Sequence, residues 1–321
     1  MARHIRRALL ATTAALVPAA LLIGGAAGVS AAATPAAPAA STFPAHYSAP
    51  YLQIDSGDAA DMAADKSASG DAYYTLAFLI PRSGCTPEWE DGGDSIGAFT
   101  SQINSLKSSG GNVIISSGGA EGGELAETCT SVSSLESAYA NIVNTYGVTR
   151  LDFDIEGSDL DNTTANARRD QALAQLQAAN PSVQVDYTLP VDASGLESDA
   201  LNLLKDAKSK GVKVNLVNIM TMDFGDGENA LNDAESGANA THTQLGSIYT
   251  GDTSAQLWNL IGLTPIAGHN DDNENFTQAN AATLETFAAS KGVQELSFWE
   301  VEDYDKATGY AYSKVFTKIT G

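Results

Sequence analysis

The sequence predicts an α/β fold, a single (β/α)8 barrel of the TIM type, and three observations carry that prediction. Eight strand-like segments alternate with stretches of helical spacing from Tyr51 to the C-terminus. An open doubly wound sheet more often has fewer strands, whereas eight β/α units in about 280 residues are what a closed barrel needs. Several helical stretches end in glycine just before the next strand, at Gly147, Gly211 and Gly292, as a left-handed helix cap requires. No shift in composition marks a second domain.

The strand candidates are YLQI from Tyr51, YYTLAFLI from Tyr73, NVIISS from Asn112, TRLDFDIE from Thr149, VQVDYTL from Val183, KVNLVNIMTM from Lys213, LTPIAG from Leu263 and QELSFW from Gln294. Helical spacing of apolar residues is clearest in SLESAYANIVNTYG from Ser134, ANARRDQALAQLQAAN from Ala165, ESDALNLLKDAKSKG from Glu197 and TQANAATLETFAASKG from Thr277. A closing helix is expected from Tyr310.

The first 33 residues are set apart from the fold. Arg3, Arg6 and Arg7 form a positive start, an apolar run extends from Ala8 to Ala27, and Ser30, Ala31, Ala32 and Ala33 offer a small-residue cleavage site. Residues 1–33 are expected to be a secretory signal peptide, residues 34–45 a Pro/Ala-rich linker or leader, and residues 46–321 the barrel. The expected location is extracellular, with no membrane association after cleavage. Without the three leader arginines, 14 basic residues stand against 39 acidic ones, a net charge of about −25. Such a surface repels nucleic acid and anionic membrane, so a neutral substrate is favoured. The two cysteines, Cys85 and Cys129, are expected to form a disulfide in the oxidising compartment the leader implies. The protein is expected to act as a monomer.

The segment LDFDIEG from Leu151 concentrates the chemistry. Asp152, Asp154 and Glu156 alternate with Leu151, Phe153 and Ile155, and alternate side chains of a strand point to opposite faces, so the three acids share one face. Burying three carboxylates together is unfavourable unless they share protons or hydrogen bonds. General acid catalysis uses such an arrangement, because one carboxyl must stay protonated near neutral pH. Glu156 is nearest the C-terminal end of its strand, where barrel active sites form. Hard cations also favour clustered carboxylates, but an exported chain with an aromatic residue, Trp299, closing its last strand fits a sugar substrate better. His46, His242 and His269 lack ligand spacing, and neither a metal nor a cofactor is expected.

TRLDFDIEG resembles the DxxDxDxE signature of glycoside hydrolase family 18, the chitinases and related endo-N-acetylglucosaminidases, with Thr149 in place of the first aspartate. ISSGG at 115–119 resembles the SxGG motif of strand three, and GLTPIAGHND at 262–271 and LSFWEVEDYD at 296–305 are similar to strands seven and eight of the bacterial branch. The resemblance implies a barrel that hydrolyses chitin or another N-acetylglucosamine polymer by substrate-assisted, retaining chemistry. Glu156 would be the acid and base, Asp154 the partner of the substrate acetamido group, and Asp152 the residue that shares a proton with Asp154. Trp299 would lie beneath the sugar, with Met220 and Asp223 as further site residues. The family pattern Met-x-Tyr-Asp on strand six reads Met220, Thr221, Met222, Asp223 here, so a hydrogen-bond donor is missing and Tyr187 on strand five is a candidate substitute. Gly118 and Gly119 would let backbone approach the acids, and Asn270 and Asp271 would contact sugar hydroxyls. Cleavage of N-glycan cores and carbohydrate binding with weakened catalysis are the alternatives.

Overall fold

The computed structural model describes residues 42–225, 227 and 230–320. The expected signal peptide and most of the linker lie outside the described residues.

Among the described residues twelve strands are formed: β1 (Tyr47–Ser48), β2 (Tyr51–Gln53), β3 (Tyr73–Ser83), β4 (Thr86–Trp89), β5 (Asn112–Gly118), β6 (Arg150–Asp154), β7 (Gln184–Pro190), β8 (Val214–Met220), β9 (Ile261–Thr264), β10 (Gly268–His269), β11 (Asn275–Phe276) and β12 (Glu295–Leu296). Their order is β1-β12-β9-β8-β7-β6-β5-β3-β2, all parallel, with β4 antiparallel on β3. β1 and β2 are two halves of one stave, split at Ala49 and Pro50. Its first half pairs with β12 and its second with β3, so the sheet closes on itself. Proline cannot donate to a ladder, yet the Pro50 carbonyl still accepts from Thr75 N at 3.0 Å. The fold is therefore the (β/α)8 barrel expected from strand number.

A helix follows each stave: Ser56–Ser69, Thr100–Ser108, Val132–Tyr146, Thr163–Ala179, Ser198–Lys210, Ala230–Ile248, Gln278–Lys291 and Ala311–Phe316. Gly147, Gly211 and Gly292 cap three of them in the left-handed conformation, with φ of 60°, 89° and 78°. The helix at 230–248 buries Ala230, Ala234, Gly237 and Ala238 beside Leu245 and Ile248, small residues that carry little apolar bulk for a sequence reading to find.

Alternation along β6 sorts its residues as expected. Leu151 and Phe153 are buried in the apolar layer between sheet and helices, where Phe153 meets Tyr139 and Tyr187 at ring-centroid distances of 5.1 and 6.0 Å. The opposite face carries Arg150, Asp152 and Asp154. β6 ends at Asp154 instead of reaching Glu156, but Ile155 N still donates to Thr188 O at 3.0 Å, so the alternation continues to Glu156. At the N-terminal end of the barrel, Arg150 faces Asp186 at 3.5 Å and donates to Gln184 Oε1 at 3.2 Å. The interior is thus polar at both levels of this stave.

Candidate active site

Asp152 lies in a cradle of hydroxyls. Its Oδ2 accepts from Ser116 at 2.6 Å and from Tyr51 at 3.1 Å, and its Oδ1 accepts from Thr188 at 2.8 Å. Thr188 is itself oriented, because Asn218 Nδ2 donates to its Oγ1 at 3.1 Å and Thr264 donates to Asn218 Oδ1 at 2.8 Å. A one-way chain of donors therefore crosses β9, β8 and β7 to end on Asp152. Burial pushes Asp152 up to about 6, and the hydrogen bonds from Ser116, Thr188 and Tyr51 favour its charged form and hold it there.

Asp154 is 4 % exposed, and its Oδ1 has no hydrogen-bond partner although it lines the cavity at the C-terminal end of the strands. Burial first, then Glu156 and Asp152, push its pKa well up. A buried acceptor left open in this way costs free energy unless a ligand donor meets it. Glu156 lies two residues further out and half-buried; burial, followed by the carboxylate of Asp159, raises its pKa above the ordinary glutamate value.

The cavity has a volume of about 310 Å³, and Asp154, Glu156, Met220, Met222, Asp223 and Trp299 all line it. The Trp299 indole is stacked on Phe78, with centroids 5.7 Å apart and planes 7° from parallel. Tyr51 meets the same indole at 5.9 Å. An apolar floor beside a row of acids suits a pyranose, whose ring faces are apolar and whose edges carry hydroxyls.

The two glycines act through close approach. A Cβ on Gly118 would come within 2.0 Å of the Asp154 carbonyl, and one on Gly119 within 2.7 Å of the Phe78 ring. Both also have φ near +100°. Asp271 lines the cavity. Asp223 lines it too, but its Oδ1 is engaged, accepting from the backbone N–H of Asp271 at 2.8 Å and of Asp272 at 3.3 Å. It fastens the loop after β8 to the β10–β11 hairpin.

Two expectations are corrected. Tyr187 is fully buried on the outer face of β7, where its hydroxyl donates to Asp170 and Arg169 lies over its ring, so it cannot replace the missing tyrosine. Alternation explains this: Asp186 and Thr188 point inward, which forces Tyr187 outward. Asn270 is also turned away, its Nδ2 facing Glu274 within the hairpin at 3.5 Å. Tyr51, Phe78, Thr188 and Thr264 belong to the site and carry no motif. Applying period two across the neighbouring strands from Asp152 would have found Thr188.

Cys85 and Cys129 are joined in a disulfide that links the β3–β4 hairpin to the segment after the short helix Leu125–Thr128. Trp89 and Trp258 are buried away from the cavity, Trp89 donating to the Tyr146 hydroxyl at 2.8 Å. Among the described residues, no group of three or more His, Cys, Asp or Glu is placed to hold a metal ion.

No family model matches the chain. A probable bifunctional chitinase/lysozyme of Escherichia coli is 30% identical over 315 residues, covering 87% of this chain and 35% of its own length. Endochitinase 11 of Metarhizium anisopliae is 30% identical over 274 residues, covering 81% of this chain and 52% of its own. The chain thus spans only a third to a half of these relatives. The catalytic domain of a hyperthermophilic chitinase from Pyrococcus furiosus superposes with a TM-score of 0.78 at 32% identity, covering 87% of this chain and 96% of that domain. A family GH18 chitinase from Chromobacterium violaceum shares the fold, with a TM-score of 0.63 at 14% identity. With near-complete coverage of a solved chitinase domain at this identity, the chain belongs to the chitinases of glycoside hydrolase family 18.

Proposed function

We propose that this protein is exported through its N-terminal leader and hydrolyses β-1,4 bonds between N-acetylglucosamine units, with Glu156 as general acid and base. The observation that carries this reading is the open Oδ1 of Asp154, a buried acceptor in the same cavity as Glu156. An N-acetylated sugar supplies the donor it lacks, the acetamido N–H. One of the structures similar to this chain, a Pyrococcus furiosus chitinase domain, was solved with chito-oligosaccharides, which favours the same ligand class here.

The chemistry follows from the protonation order. Glu156, held protonated by burial, donates to the glycosidic oxygen as the bond to the anomeric carbon breaks. The acetamido carbonyl of the same sugar attacks that carbon, so the anomeric centre is retained when water later opens the oxazolinium ion. Glu156, now a carboxylate, takes the proton of that water and is restored. Asp154 accepts from the acetamido N–H, and the negative charge held by the Asp152–Asp154 pair offsets the positive charge of the ion. Asp152 accepts the charge that the pair must hold, because three hydroxyls already point at it. Trp299 and Phe78 fix the sugar plane.

One observation favours a weaker catalyst that mainly binds: Met222 lines the cavity where the family has a tyrosine, and a thioether donates no hydrogen bond. Incubation of the protein with N-acetylglucosamine oligosaccharides and with a high-mannose glycopeptide, with products read by mass, separates the readings. Shortened oligosaccharides with an intact glycopeptide are expected. Cleavage of the glycopeptide alone would move the assignment to N-glycan cores, and binding without product would overturn the hydrolase.

A further inference from the structure

A second cavity, of about 320 Å³, opens on the other side of Glu156, and nothing in the mechanism above uses it. The chain turns sharply at Gly157, with φ of 53°, and Asp159 N donates to the Glu156 carbonyl at 3.1 Å. That turn brings the Asp159 carboxyl back into the cavity that Glu156 borders, and Glu127 enters it from the helix Leu125–Thr128. The glycines at 119, 122 and 123 form the opposite wall. A Cβ at Gly123 would lie 2.8 Å from Glu127 Oε2 and 3.6 Å from Asp159 Oδ2, so both carboxylates converge on the space that glycine leaves. Glu127 and Asp159 thus set two like-charged groups side by side against that space. Asn162 Nδ2 fixes Glu127 by donating to its Oε1 at 3.0 Å.

The charges around this pair are one-sided. Glu121 reaches the same cavity from the loop after β5, Asp154 and Asp223 face Glu156 from the sugar cavity, and Asp192 and Glu197 face it from a third cavity beside β7. Among the described residues, no Lys, Arg or His lines any of the three. The cation that offsets Asp159 is Arg169, which already pairs with the buried Glu124 at 3.7 Å.

We propose that Asp159 is a positioning residue that keeps Glu156 protonated from outside the sugar cavity, with Glu127 beside it as a second like charge. The proposal rests on the reading of Glu156 as the acid. A carboxylate beside a second carboxyl disfavours ionisation of that carboxyl. Glu156 is raised by burial and then by Asp159, and Asp159 is itself pushed up to about 6 by burial and then by Glu127. Once Asp159 is charged, its repulsion on Glu156 is greatest. This delays the loss of its proton as pH rises.

The test is the pH profile of kcat/KM on N-acetylglucosamine oligosaccharides. Asp159→Asn is expected to move the alkaline limb down by about one pH unit, so that activity falls far more at about pH 8 than at about pH 5. Asp159→Glu, which keeps the charge, is expected to restore most of the limb. Glu127→Lys leaves Asp159 in place, sets a cation against it, and is expected to move the limb in the same direction as Asp159→Asn. An alkaline limb unmoved in the variants, or activity reduced equally at every pH, would overturn the proposal. Failure of the underlying reading looks different, because the limb would then persist in Glu156→Gln.

Discussion

Ser116 and Asp152 are register partners across β5 and β6, and the serine hydroxyl donates to Asp152 Oδ2 at 2.6 Å. Of the three hydroxyls on that carboxyl this is the shortest contact, and it comes from a side chain with little freedom in a fully buried strand. Removing it withdraws support from the charged form of Asp152, so the Asp152 pKa must rise. Ser116→Ala is expected to lower kcat about tenfold, the worth of one hydrogen bond to a charged group, and to shift the acidic limb of kcat/KM to higher pH. An unchanged profile would show that Asp152 does not carry charge in the reaction.

Met222 invites the opposite experiment. It lines the cavity beside Asp154, Glu156 and Met220, and its thioether donates no hydrogen bond there. Met222→Tyr is expected to raise kcat up to about tenfold with little change in KM, because a donor aimed at the attacking carbonyl acts mainly in the transition state. Pre-steady-state measurement separates that gain from product release. A fall in kcat with normal folding would mean that the thioether is part of a differently shaped clamp.

The acids buried elsewhere make stability depend on pH. Burial is the largest influence on Asp71, Asp170, Asp186 and Glu295, raising them to about 8, 7, 7 and 8; Arg169 and Arg150 pull the last three back without cancelling it. Each also has at least one oxygen with no hydrogen-bond partner, as a buried protonated carboxyl can tolerate. The folded chain therefore holds protons that the unfolded chain has released above about pH 4. Their stabilisation is complete below that value and is lost as pH rises through about 7 to 8. Thermal unfolding is expected several degrees higher at about pH 5 than at about pH 8. A Tm that rises over this interval would contradict the protonation states assigned to these groups.

The barrel was legible because its staves are separated by helices with strong apolar periods, as at 132–146 and 198–210, and by glycine caps at 147, 211 and 292. The face carrying Asp152, Asp154 and Glu156 was legible from period two alone. Tyr51 and Phe78 were not, because in strands such as YYTLAFLI both faces are apolar and alternation gives no direction. Tyr187 was misplaced by treating a tyrosine near the site as available, when Asp186 and Thr188 on either side already claimed the inner face. Asn270 was misplaced for a different reason: its partner Glu274 is four residues away, in a two-strand hairpin that the sequence did not announce.

The proposed hydrolysis requires Glu156 to move the proton. Single-turnover hydrolysis of an N-acetylglucosamine oligosaccharide by Glu156→Gln, with binding of the same ligand measured by calorimetry, tests it most directly. A rate reduced by about a thousandfold or more, loss of the alkaline limb, and a Kd within a few-fold of the parent protein are expected. A variant that turns over at a substantial fraction of the parent rate with its pH profile intact would contradict it.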